Sequence, residues 1–348
     1  MKVVVTGGAG FIGSHVCEGL VRRGVAEVVA FDDLSTGSAA NLAGTGVGLR
    51  EGTILDRAAV AAVTKGASGV VHLAALPSVP RSLLDPLASH EANVTGTLHV
   101  LEAARSCGAH VVVASSSSVY GSEARLPNSE DTAPQPVSPY AVSKLAAESY
   151  TLAYTRSFGV PTLAVRLFNV FGPRQRADSA YAAVVPRFIQ AAIAGAPLQV
   201  HGDGRQTRDF TFVGTVADRL CEAVVRRIVH DRSVNLAFGL RTSLLTIINL
   251  LGEILGRPLD VVHTASRSGD IRDSQAGTRT LRRLFPEAEP YDLREALTET
   301  VSWHVNRATE VHAAATPGDP EGRENPSVRI SAPVPDLEPV GTRGVPGC

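Results

Sequence analysis

Short apolar runs alternate with longer stretches whose apolar side chains recur at helical spacing through the first half of the chain. The short runs predict β-strands and the longer stretches predict helices. The predicted strands are 3–6, 28–31, 70–73, 111–115 and 162–167, and the predicted helices are 11–23, 57–63, 91–107 and 140–158. Strands that alternate with helices in this order predict an α/β fold with a Rossmann-type, doubly wound parallel sheet. Ligands of such a fold bind beyond the carboxyl ends of the strands.

The pattern changes twice further along the chain. From residue 175 the order loosens into helices with short strands, which predicts a smaller, mostly helical lobe over 175–309. This lobe follows a cofactor domain over 1–174, with some chain crossing between the two. From residue 310 onward prolines and glycines are frequent and the apolar period is lost. We therefore expect 310–348 to be a disordered tail.

Composition and charge narrow the functional classes. Hydrophobic residues make up 44% and charged residues 19% of the 348 residues, which is typical of a folded globular protein. The net charge of −1 gives no electrostatic attraction to nucleic acid or to an anionic membrane surface, and no apolar run is long enough to span a bilayer. Because Met1 leads directly into the first predicted strand, we expect no signal peptide and a cytoplasmic location. The four cysteines lack metal-ligand spacing, so no metal site is predicted.

A glycine-rich turn joins the first predicted strand to the first predicted helix. Its sequence is Thr6-Gly7-Gly8-Ala9-Gly10-Phe11-Ile12-Gly13. Gly7 permits a tight turn, Gly10 lets backbone N–H groups approach a diphosphate, and Gly13 allows the helix to pack closely. Asp32 ends the next predicted strand, where its carboxylate can accept hydrogen bonds from both hydroxyls of an adenosine ribose and repels a 2′-phosphate. The turn and the acid together predict NAD rather than NADP as the cofactor.

A serine run and a Tyr-Lys pair follow. Serines come directly after the strand 111–115, and Ser116 is placed to hydrogen-bond an alcohol or ketone of a substrate. Tyr140 and Lys144 stand one turn apart at the start of the helix 140–158, so they share one helix face. A Lys ammonium and an oxidised nicotinamide both stabilise a phenolate, so we expect the pKa of Tyr140 to fall towards neutral pH. These residues predict proton transfer beside a nicotinamide, with Tyr140 as the general base.

With the glycine turn, the serine run and the Tyr-Lys pair in this order, the chain up to its tail resembles the extended short-chain dehydrogenases/reductases, specifically their nucleotide-sugar 4-epimerases. The resemblance implies an enzyme that inverts carbon 4 of a UDP-sugar through a 4-keto intermediate and regenerates NAD in each turnover. It implies Ser116, Tyr140 and Lys144 as the catalytic residues. It also implies a homodimer that pairs through the helices 91–107 and 140–158, whose outward apolar residues could equally belong to the core.

The resemblance further implies which residues bind NAD. They are Gly7, Gly10, Phe11, Ile12, Gly13, Asp32, Asp33, Ser35, Thr36, Gly37, Ile54, Leu73, Ala74, Ala75, Asn93, Tyr140 and Lys144. Ile54 stands at the position that packs the adenine in this family. Thr53 replaces the aspartate that the family has beside it, which is a departure at the contact to the adenine amino group.

The resemblance also implies the residues that bind the UDP-sugar. They are Ser78, Ser116, Ser117, Ser118, Asn169, Arg176, Val184, Gln199, His201, Arg208, Arg267, Asp270 and Ser274. Asn169 is implied to contact the sugar diphosphate, and Arg208 with Arg267 to clamp it, because a guanidinium fork meets two phosphate oxygens at once. Without the resemblance, either arginine could form an ordinary surface ion pair.

Two positions bear on the reaction. Ser117 and Ser118 stand where the 4,6-dehydratases and decarboxylases of this family carry carboxylates that assist elimination or decarboxylation. Serines there favour simple epimerisation. A 4,6-dehydratase or a decarboxylase is the alternative, and a non-catalytic NAD-binding sensor is a more remote one.

Two further positions bear on the sugar. Ser274 lies where glucose-restricted 4-epimerases carry a bulky tyrosine, so a small residue leaves volume for an N-acetyl group, although Ser274 could also cap a turn. Arg176 lies in the loop where an arginine of glucuronate 4-epimerases pairs with the carboxylate at carbon 6. The substrate is therefore expected among UDP-glucuronate, UDP-glucose and UDP-N-acetylglucosamine.

Overall fold

The computed structural model describes residues 1–122, 125–178, 182–265 and 272–314 of the chain. Met1–Arg307 forms one compact unit. A second unit begins at Ala308, and its described part, up to Ala314, is helical.

Strands and helices alternate along the described chain. The strands are β1 (Lys2–Thr6), β2 (Glu27–Asp32), β3 (Gly48–Glu51), β4 (Gly69–His72), β5 (His110–Ser116), β6 (Thr162–Leu167), β7 (Val170–Phe171), β8 (Leu198–His201), β9 (Thr207–Arg208), β10 (Thr211–Phe212), β11 (Val234–Leu236), β12 (Thr242–Ser243) and β13 (Val261–Thr264). The α-helices are α1 (Phe11–Arg22), α2 (Arg57–Thr64), α3 (Val79–Leu84), α4 (Pro86–His90), α5 (Gly96–Cys107), α6 (Pro139–Phe158), α7 (Val184–Ile193), α8 (Val213–Val225), α9 (Leu244–Ile254), α10 (Arg279–Leu284) and α11 (Leu293–Ala314). Short 3₁₀-helices lie at Ala39–Leu42 and Ser117–Tyr120, and a π-helical turn at Glu91–Thr95 leads into α5.

Seven parallel strands form the main sheet in the order β11-β6-β5-β4-β1-β2-β3. The order runs outward from β1 in both directions, so the predicted doubly wound, Rossmann-type fold is confirmed. The switch point lies between β1 and β4, where Thr6 pairs with His72 at the carboxyl ends of the two strands. Open α/β sheets bind their ligands in the crevice at this point.

Both faces of this sheet are covered by helices, which is why its inner strands are mostly apolar in sequence. On one face, Val3 of β1 packs in a cluster with Leu20 of α1 and Leu220 of α8. On the other face, Val4 packs in a cluster with Leu101 of α5. All of these side chains are fully buried.

A second apolar core combines α7, α9 and the first turns of α11 with the paired strands β8 and β13. Its buried side chains include Phe188, Leu198, Ile247 and Leu297. The chain beyond residue 175 does not stay in this lobe, because α8 packs against α1 and β11 joins the main sheet beside β6. The segment predicted as the lobe therefore contributes to both cores.

Helix α11 ends at Ala314, so residues 310–314, predicted as the start of the disordered tail, are helical. The rest of that predicted tail, 315–348, lies outside the described residues. Among the helices that the structure describes, none is both long and apolar enough to cross a membrane.

Candidate active site

The glycine turn between β1 and α1 leaves no room for side chains. Gly7 has a φ of +69°, and a Cβ at this position would lie 2.7 Å from the backbone N of Ala74. A Cβ at Gly13 would lie 2.0 Å from the carbonyl oxygen of Gly7, to which the Gly10 N–H donates at 3.0 Å. Gly10 is the N-cap of α1 and has no side chain to bind the first N–H groups of the helix. Those groups form a site suited to a diphosphate.

Asp32 ends β2 and faces the glycine turn. Its Oδ2 accepts a hydrogen bond from the Ala9 N–H at 3.0 Å, and its Oδ1 accepts one from the Leu34 N–H at 2.8 Å. Burial raises the pKa of Asp32, and the bonds from Leu34 and Ala9 oppose that rise. A Cβ at Gly37 would lie 3.0 Å from Asp32 Oδ1, so glycine lets the loop after β2 approach the acid. The carboxylate is thus fixed where the adenosine ribose is predicted.

The other predicted cofactor residues open α1 or follow strands of the main sheet. Phe11 and Ile12 open α1, the exposed Asp33, Ser35 and Thr36 follow β2, the buried Ile54 follows β3, and the half-buried Leu73, Ala74 and Ala75 follow β4. Because the carboxyl ends of parallel strands meet at one edge of a sheet, the structure brings these segments together.

Asn93 lies in the π-helical turn before α5 and is almost fully buried. Its Oδ1 accepts from the Leu76 N–H at 2.7 Å, and its Nδ2 donates to Ser143 Oγ at 2.9 Å. Ser143 Oγ in turn donates to the carbonyl of Tyr140 at 2.8 Å. The Asn93 amide therefore ties the segment after β4 to α6, and its contact with the cofactor stays a prediction.

The structure brings the three predicted catalytic residues together at the carboxyl end of β5. Tyr140 and Lys144 lie one turn apart on α6, which Ser138 caps by accepting from the Ala141 N–H at 3.2 Å. Ser116, the last residue of β5, lies beside the Tyr140 hydroxyl and lowers its pKa. Lys144 Nζ donates to the carbonyl oxygen two residues earlier in β5, that of Ala114, at 3.0 Å.

The pKa values of this group are governed by burial. Desolvation lowers the pKa of Lys144 to about 8. Desolvation also raises the pKa of Tyr140, and the neighbouring Ser116 lowers it by less. The predicted fall of the Tyr140 pKa is therefore not found in the protein alone, because removing a phenolate from water outweighs the effect of Ser116.

Ser117 and Ser118 lie in the 3₁₀-helix directly after Ser116 and are half-buried. The backbone N–H and the hydroxyl of Ser118 both donate to Ser116 Oγ, at 3.2 and 2.9 Å. Ser116 Oγ thus accepts from Ser118 and has the Tyr140 hydroxyl beside it. Positions 117 and 118 place hydroxyls beside Ser116, the predicted catalytic serine.

Three predicted substrate residues are joined through β9 and the residue that follows it. Asn169, with a φ of +35°, donates from Nδ2 to the carbonyl of Asp209 at 3.3 Å. Arg208 directly precedes Asp209 in the chain. The Ser274 N–H donates to the carbonyl of Thr207 at 3.1 Å. The structure therefore brings Asn169, Arg208 and Ser274 to one part of the lobe.

The remaining predicted substrate residues occupy separate positions. Ser78 caps α3, Val184 opens α7, and Gln199 and His201 lie on β8, with Gln199 exposed. Arg176 forms a bidentate pair with Asp178, with Nε–Oδ1 and Nη2–Oδ2 distances of 2.9 Å. The two side chains are 56% and 61% exposed, so this pair is open to water. Arg267 and Asp270 lie outside the described residues.

Asp209, which the sequence analysis did not single out, is a buried acid next to the predicted substrate residue Arg208. It is fully buried, and its Oδ2 accepts from the N–H groups of Gly239 and Ala276, both at 2.9 Å. Desolvation raises the pKa of Asp209 to about 6. The carboxylate joins the segment that carries Arg208 to two distant loops. An acid directly before the apolar residues that begin with Phe210 was the signal for a buried role.

Comparison with known proteins finds a matching family model and similar proteins. The model of the NAD dependent epimerase/dehydratase family matches residues 3–237. A UDP-glucose 4-epimerase of Mycolicibacterium smegmatis is 34% identical over 315 residues, covering 88% of this chain and 100% of that protein. A UDP-N-acetyl-alpha-D-glucosaminuronate decarboxylase of Bacillus cytotoxicus is 31% identical over 317 residues, covering 87% of this chain and 97% of that protein.

Solved structures agree with this comparison. The UDP-N-acetylglucosamine 4-epimerase of Methanobrevibacter ruminantium M1, solved with UDP-N-acetylmuramic acid, is 34% identical with a TM-score of 0.82, covering 88% of this chain and 98% of that one. MoeE5, solved with UDP-glucuronic acid and NAD, is 34% identical with a TM-score of 0.77, covering 88% of this chain and 100% of that one.

Proposed function

This chain belongs to the NAD-dependent epimerase/dehydratase family, and we propose that it is a 4-epimerase of UDP-hexoses. The observation that carries the proposal is the placement of Tyr140 and Lys144 one turn apart on α6, with Ser116 beside the Tyr140 hydroxyl and serines at positions 117 and 118. Exchange of a hydride and a proton at one carbon needs one acid–base group. Elimination or decarboxylation gains from a further carboxylate, which these two positions do not supply.

The glycine turn is shaped for the diphosphate of NAD. A Cβ at Gly7, Gly10 or Gly13 would lie within about 3 Å of backbone atoms, so glycine at these positions keeps the space open. The start of α1 turns its N–H groups towards that space. Asp32, held by two backbone N–H groups, is proposed to bind the adenosine ribose. NAD held there would supply a nicotinamide able to take up a hydride from carbon 4 of the sugar and to give it back to the opposite face.

Tyr140 is proposed to remove the proton from the sugar 4-hydroxyl and to return it after the sugar has turned. Ser116 donates to or accepts from the reacting oxygen, a role that its position beside the Tyr140 hydroxyl supports. Burial lowers the pKa of Lys144 to about 8, so the ammonium form is kept at neutral pH, and we propose that its positive charge favours the phenolate of Tyr140.

The keto sugar must rotate while its diphosphate stays in place. Asn169 and Arg208 are proposed to hold the diphosphate, together with Arg267, and their shared attachment to Asp209 supports a common binding site. Ser274 is small and buried and is tied to Thr207, so it leaves volume beside the sugar. An anchored diphosphate keeps carbon 4 near both Tyr140 and the cofactor in each orientation.

Arg176 is proposed to set the choice among sugars. Its guanidinium already binds a carboxylate bidentately, that of Asp178, which is the geometry that a carboxylate at sugar carbon 6 would require. UDP-glucuronate is therefore a candidate beside UDP-glucose and UDP-N-acetylglucosamine.

The proposal is tested by incubating the purified protein with each of these three UDP-sugars, with and without added NAD, and separating the products by anion-exchange chromatography. We expect a 4-epimer from at least one sugar. Absence of a 4-epimer from all three contradicts the proposal. A pentose product assigns the chain to the decarboxylases, and a 4-keto-6-deoxy product assigns it to the dehydratases. The similarity to a decarboxylase is the reason for including these outcomes.

Two variants refine this test. Arg176→Leu is expected to raise the KM for UDP-glucuronate about 10- to 100-fold, the value of a charged bidentate contact, with the KM for UDP-glucose unchanged. Tyr140→Phe is expected to bind NAD as the wild type does and to lose turnover by a factor on the order of 100 or more. A Tyr140→Phe variant with unchanged turnover would exclude Tyr140 as the base.

A further inference from the structure

A buried charge pair lies directly behind the catalytic group. Glu148 of α6 and Arg166 of β6 bond bidentately, with Nε–Oε2 at 3.0 Å and Nη2–Oε1 at 2.5 Å. Their side chains are 4% and 5% exposed. The proposed reaction uses neither residue, and neither belongs to the predicted set of cofactor or substrate contacts.

Glu148 is also bonded to the residue beside the catalytic serine. Ser115 Oγ donates to Glu148 Oε2 at 2.8 Å, and Ser115 directly precedes Ser116 in β5. Tyr140, Lys144 and Glu148 follow one another at intervals of four along α6, so they lie on one side of the helix.

This side of α6 therefore faces three consecutive residues of β5. Tyr140 lies beside Ser116, Lys144 donates to the carbonyl of Ala114, and Glu148 accepts from the residue between them. Of these three contacts, the one from Glu148 is a charge-assisted bond between side chains that are almost fully buried. This bond fixes the position of α6 along the direction of β5, at the one of the three contacts that is farthest from the substrate.

Arg166 extends the same network to Tyr120, which follows the serines 115–118 in the chain. Its guanidinium lies over the ring of Tyr120, 4.7 Å from the ring centroid. Tyr120 is the last residue of the 3₁₀-helix that begins after Ser116, and its hydroxyl donates to Asn235 Oδ1 at 2.6 Å. Glu148 and Arg166 thus hold the chain on both sides of Ser116, at Ser115 and at Tyr120.

Stability gives a weak reason for such a pair. Removing two charges from water costs about as much as their attraction returns, and well-packed apolar residues of similar volume are often as stable or more stable. A geometric role is the better account of a charge pair in contact with the residues that flank Ser116.

Resting on the proposed function, we propose that Glu148 and Arg166 are positioning residues that set the distance and angle between Ser116 and the Tyr140–Lys144 pair. Neither touches substrate or cofactor in this role. Both act through Ser115 and Tyr120 on the hydroxyl that bonds the reacting oxygen.

The test is a double variant, Glu148→Leu with Arg166→Met, which removes both charges and keeps the volume. We expect its melting temperature to stay within a few degrees of that of the wild type, because no unpaired charge stays buried and only the Ser115 hydroxyl loses its acceptor. We expect kcat for 4-epimerisation to fall about 10- to 100-fold with KM unchanged, because a misplacement of about 1 Å has effects of that size. A folded double variant with the kcat of the wild type overturns the proposal.

Ser115→Ala keeps the charge pair and removes only its bond to β5, so it decides the question if the double variant does not fold. We expect a lower kcat, an unchanged KM and an unchanged melting temperature within a few degrees. Unchanged kcat in Ser115→Ala overturns the link to Ser116. Glu253→Gln, which breaks the exposed pair with Arg294, is the matched control and should leave kcat unchanged.

A second readout does not depend on turnover. The ionisation of Tyr140 is followed by the ultraviolet absorbance of its phenolate in the NAD-loaded protein, with the Tyr140→Phe protein subtracted. We expect the pKa of Tyr140 to rise in the double variant, because Ser116 and Lys144 lose their fixed places beside it. An unchanged Tyr140 pKa overturns the proposal. If the wild type epimerises none of the sugars, the proposed function fails and this titration still tests the positioning role.

Discussion

The ammonium group of Lys144 is buried, and its charge lowers the free energy of unfolding of the protein. Only 7% of the residue is exposed, and its one described hydrogen bond goes to the carbonyl of Ala114. Burial lowers the pKa of Lys144 from 10.5 to about 8, which corresponds to about 3 kcal/mol of unfavourable free energy below pH 8. A group with this cost is expected where its charge serves the reaction rather than the fold.

Lys144→Met is therefore expected to be inactive and more stable at pH 7. The gain is about 2 kcal/mol, the relieved cost of the charge less about 1 kcal/mol for the lost bond to Ala114. Because the pKa in the folded protein lies below that of the unfolded chain, the penalty is complete below pH 8 and disappears as the pH rises to 10.5. Urea unfolding at pH 7 and pH 10 measures both effects.

The exposed Lys65 provides the control for this prediction. Lys65→Met should change the unfolding free energy by less than about 0.5 kcal/mol at either pH. A Lys144→Met variant that is less stable than the wild type at pH 7 would show that the ammonium contributes to folding.

The candidate cofactor and catalytic residues could be proposed from the sequence because each set follows a local pattern, and their roles stay predictions. The glycine turn occupies one short segment, and Tyr140 and Lys144 are one helical turn apart. Asp209 could not be found in this way, because its partners Gly239 and Ala276 are 30 and 67 positions away in the sequence. Sequence spacing shows what one element can present, whereas a buried carboxylate is defined by the loops that fold over it.

At the scale of elements, the joint between β1 and α1 depends on the absence of side chains. Gly13→Ala is expected to destabilise the protein by about 1–3 kcal/mol, because its Cβ would lie 2.0 Å from the carbonyl oxygen of Gly7 and backbone has to move. The same movement disturbs the N–H groups proposed to bind the diphosphate, so NAD affinity should fall at least about tenfold. Thermal unfolding and calorimetric titration of cofactor-free protein with NAD measure the two effects.

Gly48 of β3 is the matched control, because a Cβ there meets no heavy atom within 4 Å. Gly48→Ala should leave NAD affinity unchanged and stability within about 0.5 kcal/mol. Equal effects of Gly13→Ala and Gly48→Ala would mean that the turn is not specifically built for the cofactor.

The elements that the sequence did not predict share a physical reason. Strand β3, Gly48–Glu51, is an edge strand with exposed or half-buried residues, so it has no apolar run. Strand β11 is three residues long and carries the buried Asn235 in its centre, which interrupts the apolar pattern. Pairings such as β8 with β13 join residues about 60 positions apart and leave no local signal. Buried strands with helices on both sides can be predicted from the sequence, whereas edge strands and short strands that pair with distant residues cannot.

At the scale of the whole molecule, large apolar side chains are exposed on α6 and on the helices α3 and α4 beside it. Val142 and Phe158 of α6 are 53% and 54% exposed, and Tyr150 between them is 41% exposed. Helices α3 and α4, which pack against α6, add Leu84 and Leu87 at 69% and 75%. Exposed apolar residues in this number are typical of a surface that another protein covers.

The homodimer implied by the resemblance would cover α6, so we expect the protein to sediment as a dimer at micromolar concentration. Val142→Glu combined with Tyr150→Glu should give a monomer, because two carboxylates per subunit would be buried in the contact without partners. Val262→Glu on β13, a position 47% exposed in the other lobe, should stay dimeric. Sedimentation velocity distinguishes these results. A monomeric wild type would leave the exposed α6 residues without this explanation, and a dimeric double variant would place the contact on another face.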